Sequence, residues 1–280
     1  MPAPSHHAPP RLFDRDLHRK RLDRAASGYA GADFLQRRAA YDIAERLAPI
    51  MRTFSLAVDL SARGGAFAQA LVEETPGKVE TLIEADLSGR MLAGRGGLRV
   101  VADEERLPFA PGSLDLIVST LGLHWTNDVV GALIQARLVL KPDGLFIAAF
   151  LGGVTLTELR QSLVAAESEI LGGAGSRVSP FADLQDAAGL LSRAGFVQTV
   201  SDVDKVTVTY DHPLKLLLDL RQMGETGVLA DRHPKKLTRQ LLNRMAEIYF
   251  ERFGTPDGRV PASFEIITLT GWAPQASPQA

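Results

Sequence analysis

Cysteine is absent from this chain of 280 residues, and aromatic residues make up only 6% of it. Without cysteine the chain forms no disulfide and no thiolate metal site, and it has no cysteine nucleophile. The absence agrees with a cytoplasmic protein, which is the location we expect. No apolar run approaches the roughly 20 residues that a membrane-spanning helix needs, so we expect no stable membrane insertion.

Charge of one sign is also lacking, because 31 basic residues stand against 33 acidic ones and the net charge is -2. A balanced chain has no general attraction for nucleic acid, and we expect no nucleic acid partner. Any electrostatic recognition must be local. The hydrophobic content of 45% is sufficient for a large core.

A strand, a tight loop and a helix follow one another between Phe54 and Leu71. The apolar run ends in Asp59, a turn follows at Gly64 and Gly65, and a helical pattern comes next. The backbone N–H groups at the start of such a helix face whatever lies above the loop. This loop is therefore a candidate nucleotide cradle.

Strands and helices alternate from here to Phe150, which predicts an α/β protein with a parallel, doubly wound sheet. The predicted strands are Phe54–Leu60, Thr81–Ala85, Leu98–Ala102, Leu114–Ser119 and Leu145–Phe150. The predicted helices are Asp33–Leu47, Gly65–Glu74, Gly89–Ala93 and Val129–Leu140.

After Phe150 the pattern changes to longer helices and two late strands. Thr155 and Glu158 match a capping box at the start of a helix. A helix over Asp183–Arg193, a β-branched run over Val197–Tyr210 and a helical block over Pro213–Phe253 follow, before a last strand over Phe264–Thr270. The late strands predict an antiparallel edge.

The predicted organisation is a disordered tail over 1–10, an N-terminal helical arm over 11–53, a main domain over 54–273 and a second disordered tail over 274–280. The main domain carries helical insertions at about 152–180 and 213–253. The arm segment 11–24 has six Lys or Arg and three Asp residues. It is either a solvated helix packed on the domain or a basic lid that docks a partner.

Asp59, Asp86 and Asp103 each fall where a predicted parallel strand ends. Carboxylates at this edge of a sheet bind ribose hydroxyls, adenine amino groups or ammonium groups in nucleotide-binding folds. Each Asp alone also suits a simple turn. Three in register favour a cofactor site.

Several motifs resemble the class I S-adenosylmethionine-dependent methyltransferases. They are VDL with Gly65 at 58–65, DLSGRML at 86–92, ADEERLPF at 102–109, SLDLIVS at 113–119 and LKPDG at 140–144. Within that class, LGLHWTND at 121–128 is similar to the malonyl carrier-protein methyltransferases. The resemblance implies S-adenosylmethionine as the cofactor.

More specific segments resemble the mitochondrial complex I assembly factor five family and its bacterial relatives, from about Leu12 to Pro274. They are LFDRDLHRKRLDRAA, FLGGVTLTELRQSL, SPFADLQDAAGLLSRAGF, QMGE and DGRVPASFEI. The resemblance implies a Rossmann-like class I methyltransferase sheet of seven strands with the last one antiparallel. It also implies a protein substrate, an iron–sulfur subunit of complex I, and hydroxylation of an arginine in the mitochondrial members.

The resemblance assigns cofactor contacts to Asp59, Ser61, Arg63, Gly65, Asp86, Leu87, Asp103, Glu104 and Ser119. Asp86 is the expected ribose ligand, as a solvated carboxylate at a strand end. His124 and Trp125 are the candidate catalytic residues, with His124 as a general base and Trp125 lining the methyl slot. They equally suit a packing role in that loop.

One departure affects the first loop, where the methyltransferases usually have D-L-G-C-G-x-G. Ser61 and Arg63 stand in place of two of those glycines. Arg63 could fold outward, or bind the amino-acid carboxylate of the cofactor. A degenerate loop kept for protein interaction is the remaining possibility. We lean toward stronger cofactor binding when Arg63 is replaced by glycine.

Metal chemistry has little support in the sequence, because non-haem iron needs two His and a carboxylate. The six histidines are His6, His7, His18, His124, His212 and His233, and none is in an H-x-D/E pattern. We therefore predict no metal site.

Three functions remain open. The first is an S-adenosylmethionine-dependent methyltransferase, or a methyltransferase-fold arginine hydroxylase, acting on a protein side chain in complex I assembly. The second is a non-catalytic assembly factor with a degenerate cofactor site, and the third is a carrier-protein carboxyl O-methyltransferase. We expect the arm and the helical block 213–253 to form a lid over the cofactor site. Mixed charges suit this lid to a cationic protein side chain: Asp219, Arg221, Glu225, Asp231 and Arg232.

Overall fold

The structure is a computed structural model that describes residues 11–181, 184–231 and 237–275. The predicted disordered tails lie outside the described residues, except for residues 274 and 275, and so do Arg232 and three of the histidines, His6, His7 and His233. The predicted domain boundaries stay predictions.

Seven strands form one sheet. They are β1 (Phe54–Leu60), β2 (Val79–Asp86), β3 (Leu98–Val101), β4 (Leu114–Thr120), β5 (Leu140–Leu151), β6 (Val197–Tyr210) and β7 (Val260–Trp272). Their order across the sheet is β3-β2-β1-β4-β5-β7-β6. The first five run parallel, and β7 is antiparallel to both β5 and β6. The expected seven-stranded sheet with an antiparallel last strand is confirmed.

The helices in the described ranges are α1 (Arg15–Ala25), α2 (Phe34–Leu47), α3 (Ala66–Glu74), α4 (Val129–Val139), α5 (Thr157–Leu171), α6 (Leu184–Arg193), α7 (Pro213–Gln222) and α8 (Arg239–Phe253). Short 3₁₀ segments cover Ala26–Gly31 and Leu123–Trp125. The predicted helix Gly89–Ala93 is wrong, since these residues form consecutive turns. Gly94 follows with a φ of 74°, which ends the run before a second helical turn forms.

The sheet is covered on both faces, as the strand pattern of β5 shows. Leu145 and Ile147 pack in the layer that contains α2, α3, α5 and α8. Phe146 and Ala148 point the other way, into the layer that contains α4 and α6. Strand order reverses between β1 and β4, so the carboxyl ends of these two strands border the crevice where ligands bind in such sheets.

The N-terminal arm is part of this carboxyl edge. Asp14 caps α1 by accepting a hydrogen bond from the N–H of Leu17. Phe13 pairs with Leu229 in a short antiparallel bridge, which ties the arm to the chain after α7. Leu22 of α1 is completely buried. The arm thus packs on the domain, and it also covers the site described below.

Only part of the predicted lid lies at this edge. Helix α7 contacts α1, the 3₁₀ segment Ala26–Gly31 and the neighbouring α8, whereas α8 packs mainly against α5. The single helical block predicted over 213–253 is therefore two helices with different positions. The lid consists of α1 and α7.

The predicted capping box at Thr155 and Glu158 is wrong. Neither side chain caps α5, whose N-cap position is Leu156. The Thr155 hydroxyl accepts from the N–H of Glu265 at 3.0 Å, and the Glu158 carboxylate accepts from the N–H and the hydroxyl of Ser263 at 3.1 and 2.5 Å. Both side chains therefore accept hydrogen bonds from β7, which is distant in sequence, and not from the first turn of their own helix.

This pairing makes Glu158 a connection between α5 and β7. We expect Glu158→Ala to lower the free energy of unfolding by about 1.5–3 kcal/mol, the range for hydrogen bonds to a charged group. Urea unfolding measures it. Glu169→Ala is the matched control, because Glu169 lies on the same helix but forms an exposed pair with Arg244. Equal losses in the two variants would show that the contacts to Ser263 contribute nothing.

Candidate functional site

The loop after β1 has a left-handed backbone at three positions. Ser61 has a φ of 65°, Arg63 a φ of 45° and Gly65 a φ of 84°. Each non-glycine residue held there costs about 1–2 kcal/mol. Two hydrogen bonds hold the loop: Gln36 donates to the carbonyl of Ser61 at 3.0 Å, and the N–H of Arg63 donates to Asp86 at 3.0 Å. The glycine-like path of the loop is therefore kept although two of the usual glycines are gone.

The Arg63 side chain turns inward and forms a buried ion pair with Asp86. Its Nη1 atom lies 2.9 Å from Oδ2 of Asp86, and the two side chains are 1% and 0% exposed. The other carboxylate oxygen, Oδ1, accepts from the N–H of Ser88 at 2.8 Å. Both oxygens of Asp86 are thus engaged. The expectation of a solvated Asp86 is wrong, and so is that of an outward Arg63.

This pair keeps Arg63 charged. Burial alone would lower the pKa of the guanidinium, but nearby carboxylates, Asp86 first among them, raise it above its ordinary value. The Nη2 atom of Arg63 has no hydrogen-bond partner in the described part of the chain, although it is buried. The pair is therefore incompletely satisfied.

A second arginine, Arg95, packs on the backbone of the same loop. Arg95 donates from Nη1 to the carbonyl of Arg63 at 2.6 Å and forms an ion pair with Glu84. Its guanidinium lies against the backbone of Gly65, where a Cβ atom would collide with it. Gly65 is thus required both by its φ and by this close approach.

Asp59 is the second-last residue of β1 and is not exposed at all. Burial raises the pKa of its carboxyl to about 8, with Arg95 opposing the rise. Its Oδ1 atom accepts a long hydrogen bond of 3.4 Å from Thr120, and Oδ2 has no partner among the described residues. The hydroxyl of Ser119, on the neighbouring strand β4, is likewise buried and unpartnered. Both side chains therefore have unused hydrogen-bonding capacity.

The arm closes the site through Arg15. Its guanidinium pairs with Asp103 at 2.6 Å and with Glu104, and it donates to the carbonyl of Trp125 at 3.1 Å. Ser61 also donates to Glu104. Although burial opposes ionisation, the positive charges, first that of Arg15, hold the pKa of Glu104 at about 2.

The remaining predicted cofactor residue, Leu87, packs beneath the arm. It shares a small cluster with Leu22 and Tyr29, so the arm covers it. The structure thus gathers the predicted residues at one edge of the sheet. Arginines of the chain itself pair with several of the carboxylates at that edge.

His124 and Trp125 lie in the 3₁₀ turn after β4, and both contact Glu225. Nε2 of His124 is 3.0 Å from Oε2 of Glu225, and Nε1 of Trp125 donates to the same oxygen at 2.8 Å. The other ring nitrogen of His124 accepts from the N–H of Leu151 at 3.5 Å, which assigns the proton to Nε2. His124 therefore holds Glu225. Its role as a general base stays a prediction.

The sequence analysis predicted a place for Glu225 in the lid but no contact with His124 or Trp125. It belongs to the QMGE segment just after α7, far from His124 along the chain, so no local pattern connects the two. Its side chain is 13% exposed, and no hydrogen bond within the described ranges uses its Oε1 atom. One carboxylate oxygen is therefore available to a ligand.

His18 of the arm is a site residue that the sequence did not reveal. It is 1% exposed, and its ring lies tilted against that of Trp125, with the two ring centroids 5.2 Å apart. Neither ring nitrogen has a partner among the described residues. Burial and the charges of Arg63 and Arg15 lower its pKa well below the ordinary value, so the imidazole is neutral.

A cavity of about 870 Å³ opens beside Trp125, which is one of its lining residues. Its walls come mainly from leucines of α5 and α7, and Glu225 and Phe181 also line it. This volume falls in the ordinary range for ligand-binding pockets. The cavity is the candidate acceptor site.

Two features are absent from residues 11–181, 184–231 and 237–275. No group of three or more His, Asp or Glu side chains is placed to hold a metal ion. None of the helices in the described ranges is long and apolar enough to cross a membrane.

The raised pKa of Asp59 predicts a pH dependence of stability. The unfolded carboxyl titrates near 3.8 and the folded one near 8, so the folded state keeps a proton that the unfolded state loses. Stability is therefore fully present below the unfolded pKa and declines until the pH passes about 8. Near pH 7 His18 adds only a small slope of opposite sign, because its unfolded imidazole, with an ordinary pKa of 6.5, is partly protonated there while the folded one is neutral.

We expect the free energy of unfolding to fall by at most about 1.4 kcal/mol per pH unit as the pH rises from about 7 toward 8. Asp59→Asn should flatten that slope. Urea unfolding across this range measures both proteins, and Asp16→Asn, whose side chain is 86% exposed, is the control. The assignment fails if Asp59→Asn keeps the wild-type slope.

Comparison with known proteins now adds to this geometry. A methyltransferase-domain family model matches residues 58–148. The arginine-hydroxylase NDUFAF5 of zebrafish (Danio rerio), a mitochondrial protein, is 40% identical over 95% of this chain and 84% of its own length. The human protein of the same name is 41% identical over 93% of this chain and 76% of its own length. A malonyl-[acyl-carrier protein] O-methyltransferase of Laribacter hongkongensis is 34% identical over 95% and 92%.

A solved structure supports the fold. Phosphoethanolamine N-methyltransferase 2 of Haemonchus contortus, in complex with S-adenosyl-L-methionine, aligns with a TM-score of 0.56 at 18% identity, over 92% of this chain and 60% of that one. At that identity the likeness concerns the fold alone. Together with the full-length relatives and the strand order described above, it leads to one conclusion: the chain belongs to the class I S-adenosylmethionine-dependent methyltransferase family.

Proposed function

We propose that the chain modifies the guanidinium group of an arginine in a protein partner during complex I assembly. The observation that carries the proposal is Glu225, a carboxylate with one free oxygen in the wall of the acceptor cavity. The full-length relatives named as arginine hydroxylases support it. An iron–sulfur subunit as the partner and a cytoplasmic location are parts of this proposal.

The surroundings of Glu225 suit a guanidinium. His124 and Trp125 bind one carboxylate oxygen and thereby fix the side chain, which leaves the other oxygen for an incoming donor. The Trp125 indole also contributes to the cavity lining, and its N–H fixes the carboxylate there. A carboxylate held in this way gives charge recognition of arginine.

The cofactor fit is incomplete in the present arrangement. The strand-end carboxylates and the glycine that precedes α3 are in place, which favours a nucleotide site. However, the buried guanidinium of Arg63 lies against Oδ2 of Asp86, so it competes with a ribose for this carboxylate. When bound, S-adenosylmethionine supplies an activated methyl group. We therefore propose that Arg63 leaves Asp86 when the cofactor binds.

Arg63→Gly should consequently bind S-adenosylmethionine at least tenfold more tightly than the wild type, because the change frees Asp86 and removes the backbone strain at a φ of 45°. Calorimetric titration of the purified proteins measures it. Arg37→Ala, a change of a surface arginine that bonds Gln69, is the control. Weaker binding would mean that Arg63 itself contacts the cofactor.

Asp86→Ala provides the second arm of that experiment. It should weaken cofactor binding and also destabilise the unliganded protein by about 3–5 kcal/mol, because Arg63 is left as an uncompensated buried charge. The double variant with Arg63→Gly should recover most of that stability. An unliganded Asp86→Ala protein as stable as the wild type would contradict the ion pair.

The acceptor is tested by Glu225→Gln. The amide can still accept from His124 and Trp125, but it loses the charge that attracts a guanidinium, so we expect at least a tenfold fall in modification of the partner. Affinity purification from the native cell followed by mass spectrometry identifies captured proteins and any mass increment on their arginines. Glu247→Gln, at an exposed position of α8, is the control.

The mass increment on arginine distinguishes methyl transfer from hydroxylation. A methyl increment on arginine indicates methyl transfer, and an oxygen increment indicates hydroxylation. A captured but unmodified partner would support the non-catalytic assembly factor. A methyl ester on a carrier protein, with arginines unchanged, would contradict the proposal and support the carboxyl O-methyltransferase.

A further inference from the structure

The cavity beside Trp125 is much larger than one arginine side chain requires. Its walls are largely apolar, and leucines dominate them from α5, α7 and the strand end at Leu151. Two hydroxyls in its lining, those of Ser179 and Thr226, are buried and have no partner in the described part of the chain. Unpartnered polar atoms in an apolar wall indicate a ligand with both apolar and hydrogen-bonding parts.

Besides Arg177, which pairs with Glu167, three arginines line this cavity. Arg21 and Arg24 come from α1, and Arg221 comes from the last turn of α7. Within the ranges that the structure describes, no ion pair or hydrogen bond joins them to an acidic residue, and Nε of Arg21 is buried without a partner. Burial and the charges of Arg21 and Arg221 lower the pKa of Arg24. Three cations thus stand together without counter-charge.

We propose that this arginine cluster, Arg21, Arg24 and Arg221, binds acidic residues that flank the acceptor arginine in an otherwise apolar segment of the partner protein. The proposal rests on the proposed function, since it takes Glu225 as the site of the acceptor guanidinium. The cavity then recognises three features of one segment. Glu225 binds the arginine, the leucines bind its apolar neighbours, and the arginine cluster binds its Asp or Glu residues.

The opposite charges in one cavity favour a polypeptide over an anionic lipid. A hydrocarbon chain that filled the leucine-lined space would also cover Glu225 and the two free hydroxyls without giving them hydrogen bonds, which is unfavourable. A peptide segment supplies backbone donors and acceptors for those hydroxyls and side chains of both signs. Charge complementarity therefore selects the peptide.

The test uses four synthetic, fluorescein-labelled peptides of about a dozen residues, long enough as extended chains to cross the cavity. The parent peptide has one central Arg, two Asp residues close to it, and Leu and Phe elsewhere. The second has Asn in place of Asp, the third has Gln in place of Arg, and the fourth has Lys in place of Asp. Fluorescence anisotropy with the full-length protein measures their dissociation constants at low and high salt.

We expect the Asn peptide to bind at least fivefold more weakly than the parent, with a smaller salt dependence. Arg24→Ala/Arg221→Ala should weaken the parent by a similar factor and remove the difference between these two peptides. Arg19→Ala is the matched control, since Arg19 is also in α1 but lies beside Asp16 and Asp23. In Arg24→Glu, a peptide with Lys in place of Asp should bind better than the parent.

Circular dichroism and thermal melting confirm folding of each variant, because Arg24 and Arg221 lie in last helical turns where a cation stabilises the helix modestly. Equal binding of the parent and Asn peptides would overturn the inference, as would the absence of saturable binding by the parent. Competition by oleate that depends on Arg24 and Arg221 would overturn it in favour of an anionic lipid. Equal binding of the Gln peptide would instead contradict the proposed arginine acceptor.

Discussion

The buried pair of Arg63 and Asp86 is the interaction on which the rest of the site depends. Removing two charges from water is costly, and a buried pair is favourable only when its remaining donors are satisfied. Here Nη2 of Arg63 is not. The pair nonetheless affects its neighbours, because it holds the strained loop after β1, and because the charge of Arg63 adds to burial in lowering the pKa of His18. Where the methyltransferase loop usually has a glycine, this chain has the charged residue Arg63.

The arm follows from that charge distribution. Three arginines form buried or largely buried ion pairs at this edge: Arg15 with Glu104, Arg63 with Asp86 and Arg95 with Glu84. The carboxyl of Asp59 is buried close to Arg95. Without Arg15, Glu104 would be left with Ser61 and the more distant Arg63 for compensation. The arm is therefore a structural part of the site, although its basic composition alone equally suits a solvated helix. Leu22 and Phe13 supply the apolar contacts that keep it in place.

Sequence patterns predicted the sheet well because strand burial and turn chemistry act locally. The five parallel strands and the antiparallel edge come from apolar periodicity and from a resemblance that covers nearly the whole chain. Prediction failed where a side chain had two possible partners. Thr155 and Glu158 satisfy a local cap motif, yet bond to β7 about a hundred residues later. Likewise, nothing local indicates that Arg63 turns toward Asp86, or that Glu225 meets His124.

Trp125 belongs to both parts of the site. Its ring contacts the tilted ring of His18, and it also lines the acceptor cavity. Its N–H donates to Glu225, so the wall itself positions the carboxylate that faces the acceptor. A protonated His18 would place a third cation near Arg15 and Arg63 in this low-dielectric region. Because the imidazole is neutral, His18 can lie buried against Trp125 without adding a charge beside these two arginines.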